Sequence, residues 1–425
     1  MVRSNIFIRT EKHIISPSSK WFSMLDSFCY LSKNLYNHAN YIIRQKFIGE
    51  RLWIKYKDLD KILKHDKTYP DYSNMPTAQS AQQTLRLLDK NWKSFFKAIK
   101  DWKKNPSKYL GRPRLPKYKS KDDRFVLILT NQNCRYVDGK IVFPKVFKGM
   151  TVIPDFADLP TEENENKDSV KIFNSFQQIR FIPQGTYIVM EVIYTIKAVD
   201  LKENNGRYAG IDIGVNNLAT MATNTSEPPM IIAGGPLKSI NQYYNKKHAF
   251  RQSLCKLSSG RNTSHRLERF TKKRNRKIND YMHKASRLIV NECVCRNISV
   301  IVIGKNKNWK QNSRMSKKNN QTFVQLPFAR LIQMIEYKAQ EKGIAVVLTE
   351  ESYTSGTSFL DNEPPTKEFY NRKRRIHRGL FRANNGKTIN ADVNGAMQIL
   401  KKEFPDVSAD GIEGVVLRPV IVISA

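Results

Sequence analysis

Apolar residues in the first third of the chain recur with the period of an α-helix. Phe28, Leu31, Leu35 and Ala39 lie three or four positions apart among polar residues, which predicts an amphipathic helix with one buried face. A second pattern of this kind runs over residues 85–99, after Pro76, and its opposite face is rich in lysine. The two patterns predict helices that share a core and present basic side chains to solvent.

The sequence period changes after residue 105. Pro106, Pro113 and Pro116 prevent the second helix from continuing, and the basic and aromatic residues around them indicate a basic linker. From Arg124 to about residue 200, short apolar runs are separated by turn pairs such as Asp138-Gly139. This pattern predicts β-strands that form a small barrel or sheet.

Strand-like and helix-like segments alternate from Tyr208 onwards. Strands are predicted at YAGIDIGV, LATMAT, MIIAG, SVIVIG and IAVVLTE, and the last helix is DVNGAMQILKK. A long basic insert over about residues 240–297 has the apolar spacing of helices. Its charged face is either simply solvated or a contact for nucleic acid. The alternation predicts an α/β domain in which helices cover a sheet.

The charge of the chain indicates a polyanionic partner. Its 425 residues carry 73 Lys and Arg against 38 Asp and Glu, a formal charge of +35 that is spread over the sequence. Such a surface attracts phosphate backbones, and its affinity for them falls with salt. The alternative is a solvated basic surface without a partner. The length also predicts more than one structural unit.

Several classes of protein are disfavoured by composition. No apolar run approaches the roughly 18–20 residues that span a bilayer, and the first residues lack the apolar core of a signal peptide, so we expect a soluble protein that is not exported. The seven histidines form no HExxH motif. Five scattered cysteines offer no pairs at metal-ligand spacing, so zinc is not expected. They are Cys29, Cys134, Cys255, Cys293 and Cys295.

Three acidic positions are candidates for catalysis. Asp212 lies in an apolar strand, where an unpaired charge is costly unless something compensates it. Asp392 opens the last helix, where taken alone it is more simply an N-cap. Glu350 and Glu351 end the strand IAVVLTE, where acids are ordinarily exposed. Together they have the order of an RNase H-like site, in which two Mg2+ ions about 4 Å apart promote phosphodiester cleavage.

Seven short motifs extend over nearly the whole chain in a fixed order. They are LSKNLYNHANYI, LDKNWKSFF, RPRLPKYK, GIDIGVNNLAT, HKASRLIV, SYTS and INADVNGAMQIL. The series resembles the TnpB family, nucleases that many bacterial transposons encode and that are related to type V CRISPR effectors.

The resemblance implies an α/β protein with β-barrel and helical parts. A wedge-like β-barrel would be formed by residues 1–15 and 112–205, and a helical recognition domain with the basic linker would occupy residues 16–111. Residues 206–425 would form an RNase H-like (RuvC) nuclease domain. That domain would include the basic helical insert and an Arg-rich, zinc-free segment at about residues 352–390.

The resemblance also implies an activity, an RNA-guided DNA endonuclease. A guide RNA derived from the transposon end would select double-stranded DNA beside a short motif that the protein reads. Asp212 and Asp392 would be the first and third catalytic acids and, with the second, would hold two Mg2+ ions, for which Mn2+ can substitute. The chain would work in the bacterial cytoplasm, in association with the nucleoid and without a membrane partner.

Two features depart from the family pattern. The strand that usually ends in the second acid, as in IVIED, ends here in Gly304. The resemblance favours Glu351, the nearer of two adjacent glutamates to the Thr-Ser pair of SYTS, as the replacement, with Glu350 as the alternative. Only one of the two is expected to reach the metal, because neighbouring strand residues point to opposite faces. The paired cysteines of the family's zinc ribbon are also missing, and NRKRRIHRGLFR follows SYTS instead.

Basic residues of three segments are expected to contact nucleic acid. They are Arg112, Arg114, Lys117, Tyr118 and Lys119 in the linker region, Lys272, Lys273, Arg274, Arg276 and Lys277 in the insert, and Arg372, Arg374, Arg375 and Arg378 after SYTS.

Three other functions stay open at this level. A nuclease-dead, RNA-guided DNA-binding protein is compatible with the missing acid at Gly304. A small type V CRISPR effector shares nearly every feature given above and differs in the source of its guide. A DNA transposase would use a similar acidic triad without RNA.

Overall fold

The structure is a computed structural model that describes residues 6–154, 176–197, 199–306 and 316–423. The chain divides into two compact units, Met1–Lys197 and Ala198–Ala425. No described helix is long and apolar enough to cross a membrane.

Two sheets form the β part of the first unit. Their strands are β1 (Ile6–Ile15), β2 (Leu127–Thr130), β3 (Arg135–Val137), β4 (Lys140–Val142), β5 (Thr151–Val152), β6 (Phe176–Pro183) and β7 (Ile188–Lys197). The larger sheet is antiparallel with the order β1-β7-β6-β2, and the smaller has the order β3-β4-β5. The first strand of the unit therefore pairs with the last, and the helices of the unit lie between these strands in the sequence.

The predicted helices of the first unit are confirmed. They are α1 (Phe22–Glu50) and α3 (Ala78–Lys104), and a short helix that is not predicted from the sequence, α2 (Tyr56–Lys64), lies between them in the sequence. The Thr77 hydroxyl caps α3 by accepting a hydrogen bond from the Ser80 N–H at 3.1 Å. Leu35 of α1 and Trp92 of α3 are fully buried in one core with residues of the larger sheet. The apolar spacing of both helices thus corresponds to their packed faces.

The motif LSKNLYNHANYI holds the basic linker against α1. The Asn37 side chain donates to the Lys119 carbonyl at 2.9 Å and accepts from the Lys119 N–H at 2.8 Å. Asn40 donates to the Pro116 carbonyl at 3.1 Å and accepts from Trp92 Nε1. The two asparagines therefore fix the path of the linker.

The sheet of the second unit has the strand order of an RNase H-like fold. The strands of this unit are β8 (Tyr208–Asp212), β9 (Asn217–Thr223), β10 (Met230–Ala233), β11 (Val300–Gly304), β12 (Ala345–Thr349), β13 (Arg375–His377), β14 (Leu380–Arg382), β15 (Thr388–Asn390) and β16 (Val420–Val422). The main sheet has the order β12-β11-β8-β9-β10-β16. β8, β9 and β10 are antiparallel neighbours, whereas β11 and β12 run parallel to β8. This arrangement confirms the predicted fold class.

One helix of the second unit packs closely against β8. The helices of this unit are α4 (Gly235–Ser259), α5 (His265–Cys295), α6 (Lys317–Gln325), α7 (Phe328–Gln340), α8 (Ala391–Glu403) and α9 (Glu413–Val416). α4 and α5 form the predicted basic insert, and α8 packs on β8. A Cβ atom added to Gly210 of β8 would lie 2.2 Å from the Ala396 carbonyl oxygen. Glycine is therefore needed there, and it lets the start of α8 lie beside the end of β8.

The segment at residues 352–390 contains a small sheet with the order β13-β14-β15. The buried carboxylate of Glu363 accepts hydrogen bonds from Arg374 Nη1 at 2.5 Å and from the Ser358 N–H at 2.9 Å. Asn384 Nδ2 binds the same carboxylate at 3.3 Å. Because the segment has no cysteine, this polar cluster and the packing of Phe359 and Phe381 hold it together.

Candidate active site

One cavity of the second unit is lined by the three predicted acids. Its volume is about 280 Å³, and Asp212, Glu351 and Asp392 all contribute to its wall. Asp212 ends β8, Glu351 lies two residues beyond β12, and Asp392 lies in the first turn of α8. Because β8, β11 and β12 are parallel, their carboxyl ends share one edge of the sheet. The acids meet at that edge.

Asp392 does not cap the helix in which it lies. The Asn390 side chain is the cap, because its Oδ1 accepts from the Asp392 N–H at 2.9 Å and from the Val393 N–H at 3.2 Å. The Asp392 carboxylate instead accepts a hydrogen bond from Asn217 Nδ2 at 2.7 Å. It also lies 3.4 Å from Arg375 Nη2. The simple N-cap interpretation of Asp392 is therefore wrong.

The two glutamates after β12 have different surroundings. Glu351 is partly buried and lines the cavity of the three acids. Glu350 is exposed, lines a different cavity, and accepts a hydrogen bond from Ser352 Oγ at 3.3 Å. The opposite directions of these neighbours agree with the alternation expected at a strand end.

Gly304 leaves the space that Glu351 uses. Gly304 ends β11 and pairs with Thr349 of β12. A Cβ atom added to Gly304 would lie 2.6 Å from both Cγ and Oε1 of Glu351, well inside van der Waals contact. The Glu351 carboxyl group therefore occupies the space into which a side chain at position 304 would extend.

Burial and the two neighbouring acids oppose the ionisation of Asp212. The pKa of Asp212 is raised well above its ordinary value, chiefly because burial disfavours the charged form and further because of the negative charges of Asp392 and Glu351. The positive charge of Arg375 acts in the opposite direction without cancelling the increase in pKa. Such a cluster is typical of a functional site, and a cation would relieve its repulsion.

The donor atoms around the cavity fit Mg2+. Within the described ranges, no three His, Cys, Asp or Glu side chains are placed to hold a single ion. Each ion would therefore take one or two carboxylates and complete its shell with water and phosphate, as Mg2+ commonly does. Thr220, the cross-strand partner of Asp212, lines the cavity, and its buried Oγ1 has no hydrogen-bond partner among the described residues. This hydroxyl is suited to bind a metal-coordinated water.

The predicted nucleic-acid contacts have different positions in the structure. Arg274 donates to Asn241 Oδ1 at 2.8 Å and to the Gln325 carbonyl at 3.1 Å, and Arg374 binds Glu363, so both stabilise the fold. Arg375 lines the acid cavity. Lys119 and Lys272 are partly buried. The exposed residues are Arg112, Arg114, Lys117, Tyr118, Lys273, Arg276, Lys277, Arg372 and Arg378.

Several cavity residues are not predicted from the sequence. Asn217 and Gly395 lie in the motifs GIDIGVNNLAT and INADVNGAMQIL, and membership of these motifs is the signal that could have found them. Thr220 and Asn306 also line the cavity. Asn306 belongs to none of the seven motifs, so nothing in its local sequence distinguishes it.

Comparison with known proteins agrees with the fold. A family model described as "Probable transposase" (OrfB_IS605) matches residues 190–310, and one described as "Cas12f1-like, TNB domain" matches residues 328–399. The chain is 27% identical over 294 residues to the CRISPR-associated endodeoxyribonuclease Cas12f2 of a Micrarchaeota archaeon. This match covers 62% of this chain and 51% of that protein. It is 24% identical over 413 residues to a TnpB-like protein of Acidianus two-tailed virus, and this match covers 88% of this chain and 81% of that protein.

A solved structure has the same fold. The cryo-EM structure of a Cas12f1–sgRNA–target DNA complex matches with a TM-score of 0.57 and 16% identity over 88% of this chain and 82% of that one. The strand order and this match define an RNase H-like fold. More particularly, the chain is similar to TnpB-like and Cas12f proteins, which confirms the resemblance seen in the motifs. The alignment spans about half the length of the Cas12f2 relative, 51%.

Proposed function

We propose that this chain is an RNA-guided DNA endonuclease of the TnpB type. Three acids from three separate elements, around one cavity on an RNase H-like sheet, are the main support. One relative is an endodeoxyribonuclease by name, and the Cas12f1 neighbour is bound to sgRNA and target DNA. The formal charge of +35 supports nucleic acid as the partner.

Asp212, Glu351 and Asp392 would hold Mg2+ through their carboxylates. When bound, Mg2+ lowers the pKa of water and neutralises charge on the leaving oxygen of a phosphodiester. Asn217 would fix the Asp392 carboxylate through its 2.7 Å hydrogen bond. Arg375, 3.4 Å from the other oxygen of Asp392, would bind a phosphate oxygen of the DNA strand. Glu350 faces away and would take no part.

Target selection would be delegated to base pairing. The guide RNA would pair with one DNA strand, while the protein would recognise the shape of the heteroduplex and a short adjacent motif. The exposed basic residues, such as Arg112, Lys117 and Lys273, would bind phosphates and make the affinity fall with salt. The place of action is then the cytoplasm, on nucleoid DNA.

Gly395→Ala should slow cleavage by roughly 10- to 100-fold, because displacing a reacting group by about an ångström has an effect of that order. A Cβ atom at this position would lie 2.8 Å from Asp212 Oδ2, so the carboxylate must turn away. Gly414→Ala is the matched control, since its new methyl group would meet nothing within 4 Å. Equal cleavage rates for the two variants would contradict the role given to the Asp212 carboxylate.

The second candidate function is an RNA-guided DNA-binding protein without nuclease activity. Gly304, which stands where the family has its second acid, favours it. Glu351 weakens this reading because its carboxylate fills the space beside Gly304. A DNA transposase, to which the description "Probable transposase" corresponds, and a small CRISPR effector are further alternatives that differ in the presence or the source of RNA.

The RNA content of the purified protein tests this proposal. The chain would be expressed with its flanking genomic DNA, and the RNA that copurifies would be sequenced. We expect one discrete RNA, and at least roughly 1,000-fold tighter binding to DNA that matches it than to scrambled DNA, the lower end of ordinary specificity ratios. Protein that contains no discrete RNA and binds DNA regardless of the match would contradict the proposal and favour a transposase.

A further inference from the structure

Asn306 makes two hydrogen bonds to Glu351. Its Nδ2 donates to Glu351 Oε2 at 3.0 Å, and its Oδ1 accepts from the Glu351 main-chain N–H at 3.1 Å. One side chain therefore fixes both the backbone and the carboxylate of the same acid. Asn306 also lines the cavity that contains Asp212 and Asp392.

Hydrogen bonds made by neighbouring residues hold Asn306 and Glu351 in place. The Lys305 N–H donates to the Thr349 carbonyl at 2.8 Å, which extends the pairing of β11 with β12 beyond Gly304. On the other side, Thr354 Oγ1 donates to the Glu351 carbonyl at 2.8 Å. Asn306 and Glu351 thus each lie two residues beyond one of two paired strands, and their separation depends little on loop conformation.

An amide is chemically suited to this position. Lysine or arginine in its place would form an ion pair with Glu351 and compete with a divalent cation for the carboxylate. The neutral Nδ2 donor orients one carboxylate oxygen and leaves the negative charge available, as the hydrogen-bond partners of metal ligands generally do. Gly304 contributes the space, because a Cβ atom there would lie 2.6 Å from Glu351 Cγ.

We propose that Asn306 is a positioning residue that, together with Gly304, moves the second acid of the site from the end of β11 to Glu351. Gly304 provides room for the Glu351 side chain, and Asn306 holds it toward Asp212 and Asp392. This inference rests on the proposed function, because it assigns a role to Asn306 at the same metal site. Asn306 acts through Glu351 and does not touch the reacting atoms.

Cleavage kinetics provide the first test. Asn306→Ala should weaken the apparent affinity for Mg2+ by roughly 10- to 100-fold, the usual effect of removing a partner of a metal ligand. The rate should partly recover at high Mg2+, and the KM for target DNA should be unchanged. A higher KM for DNA with an unaltered Mg2+ dependence would overturn the inference, because Asn306 would then contact the nucleic acid.

Metal binding without turnover provides the second test. The melting temperature of the RNA-free, full-length protein would be measured with and without Mn2+. Mn2+ should raise it in the wild type and raise it less in Asn306→Ala, because a tenfold weaker affinity removes about 1.4 kcal/mol of ligand stabilisation. In the Glu351→Gln background, Asn306→Ala should have no further effect. An equal further loss in that background would overturn the proposal.

Two more variants make the outcome decisive. Asn74→Ala removes an exposed asparagine of the first unit and should leave the Mn2+ shift at its wild-type value. Gly304→Ala should reduce the shift as Asn306→Ala does, and it carries the test if Asn306→Ala does not fold. Because this measurement needs no guide, target or cleavage, it tests Asn306 even in a protein that fails to cut DNA. Unchanged shifts in both variants would overturn the inference.

Discussion

Asp212→Asn should abolish cleavage of guide-matched DNA while leaving guided binding of that DNA intact. The variant loses one carboxylate of the cavity and keeps the size of the side chain. We expect a rate reduction of roughly a thousandfold or more, since metal-ion catalysis lowers a barrier by several kcal/mol. Binding depends on base pairing and on many basic side chains, so the Kd for matched DNA should change by less than about twofold.

The control for this variant is Asp280→Asn on α5. Asp280 is exposed and pairs with Lys284 at 3.4 Å, and surface pairs of this kind contribute little. Its cleavage rate should therefore stay within about twofold of the wild type. Loss of both binding and cleavage in Asp212→Asn would indicate a structural role and contradict the assignment of Asp212 to catalysis.

The same substitution should make the metal-free protein more resistant to heat. Because the pKa of Asp212 is raised in the fold, the folded state binds this proton more tightly than the unfolded chain does. Ionisation of Asp212 therefore destabilises the fold as the pH rises above the ordinary carboxyl pKa. Asparagine removes that cost, so the melting temperature in EDTA should rise by at least about 2 °C near neutral pH. The difference should shrink as the pH falls below about 4, the ordinary carboxyl pKa, because Asp212 then becomes protonated in both states.

Glu351→Gln should reduce cleavage by roughly 100-fold or more, whereas Glu350→Gln should change it by less than about twofold. Glutamine at position 351 can still accept the hydrogen bond from Asn306, so the variant removes charge and keeps the local structure. The adjacent Glu350 is a close control because it has the same side chain and lies at the same strand end. Its exposed carboxylate lines a different cavity.

Two other results for the Glu350→Gln and Glu351→Gln variants would contradict the role of Glu351. Loss of cleavage in Glu350→Gln with a normal rate in Glu351→Gln would show that the acid at this strand end reaches the cavity from position 350. Wild-type rates in both variants would mean that the nuclease works without a second acid from this strand end. Either result would contradict the role proposed for Glu351.

The main sheet of the second unit is largely predictable because its strands are short apolar runs with clear ends. YAGIDIGV, SVIVIG and IAVVLTE correspond to β8, β11 and β12, and Asp212 and Glu351 lie at or just after strand ends. The pairing of strands that are distant in the sequence is harder to predict. For example, β16 pairs with β10, and no local sequence pattern indicates this pairing.

Side-chain roles that depend on tertiary packing could not be predicted. Arg274 and Arg374 have the same local signal as exposed phosphate-binding arginines, but the fold pairs them with Asn241 and Glu363. Both asparagine and aspartate are good N-caps, so the sequence does not decide between Asn390 and Asp392. Asn306 becomes recognisable only when β11 and β12 bring it beside Glu351. Each of these assignments requires knowing which segment of the chain packs against the residue in the folded structure.

Cleavage of guide-matched DNA by the wild-type protein–RNA complex tests the nuclease assignment most directly. The complex would be incubated with matched or scrambled double-stranded DNA, in the presence of Mg2+ or EDTA. We expect a cut that requires both the match and the metal, that is absent in Asp212→Asn and Asp392→Asn, and that is at least roughly 100-fold slower in Glu351→Gln. Tight, guide-dependent binding of matched DNA without any cut in Mg2+ or Mn2+ would contradict this and identify an RNA-guided DNA-binding protein instead.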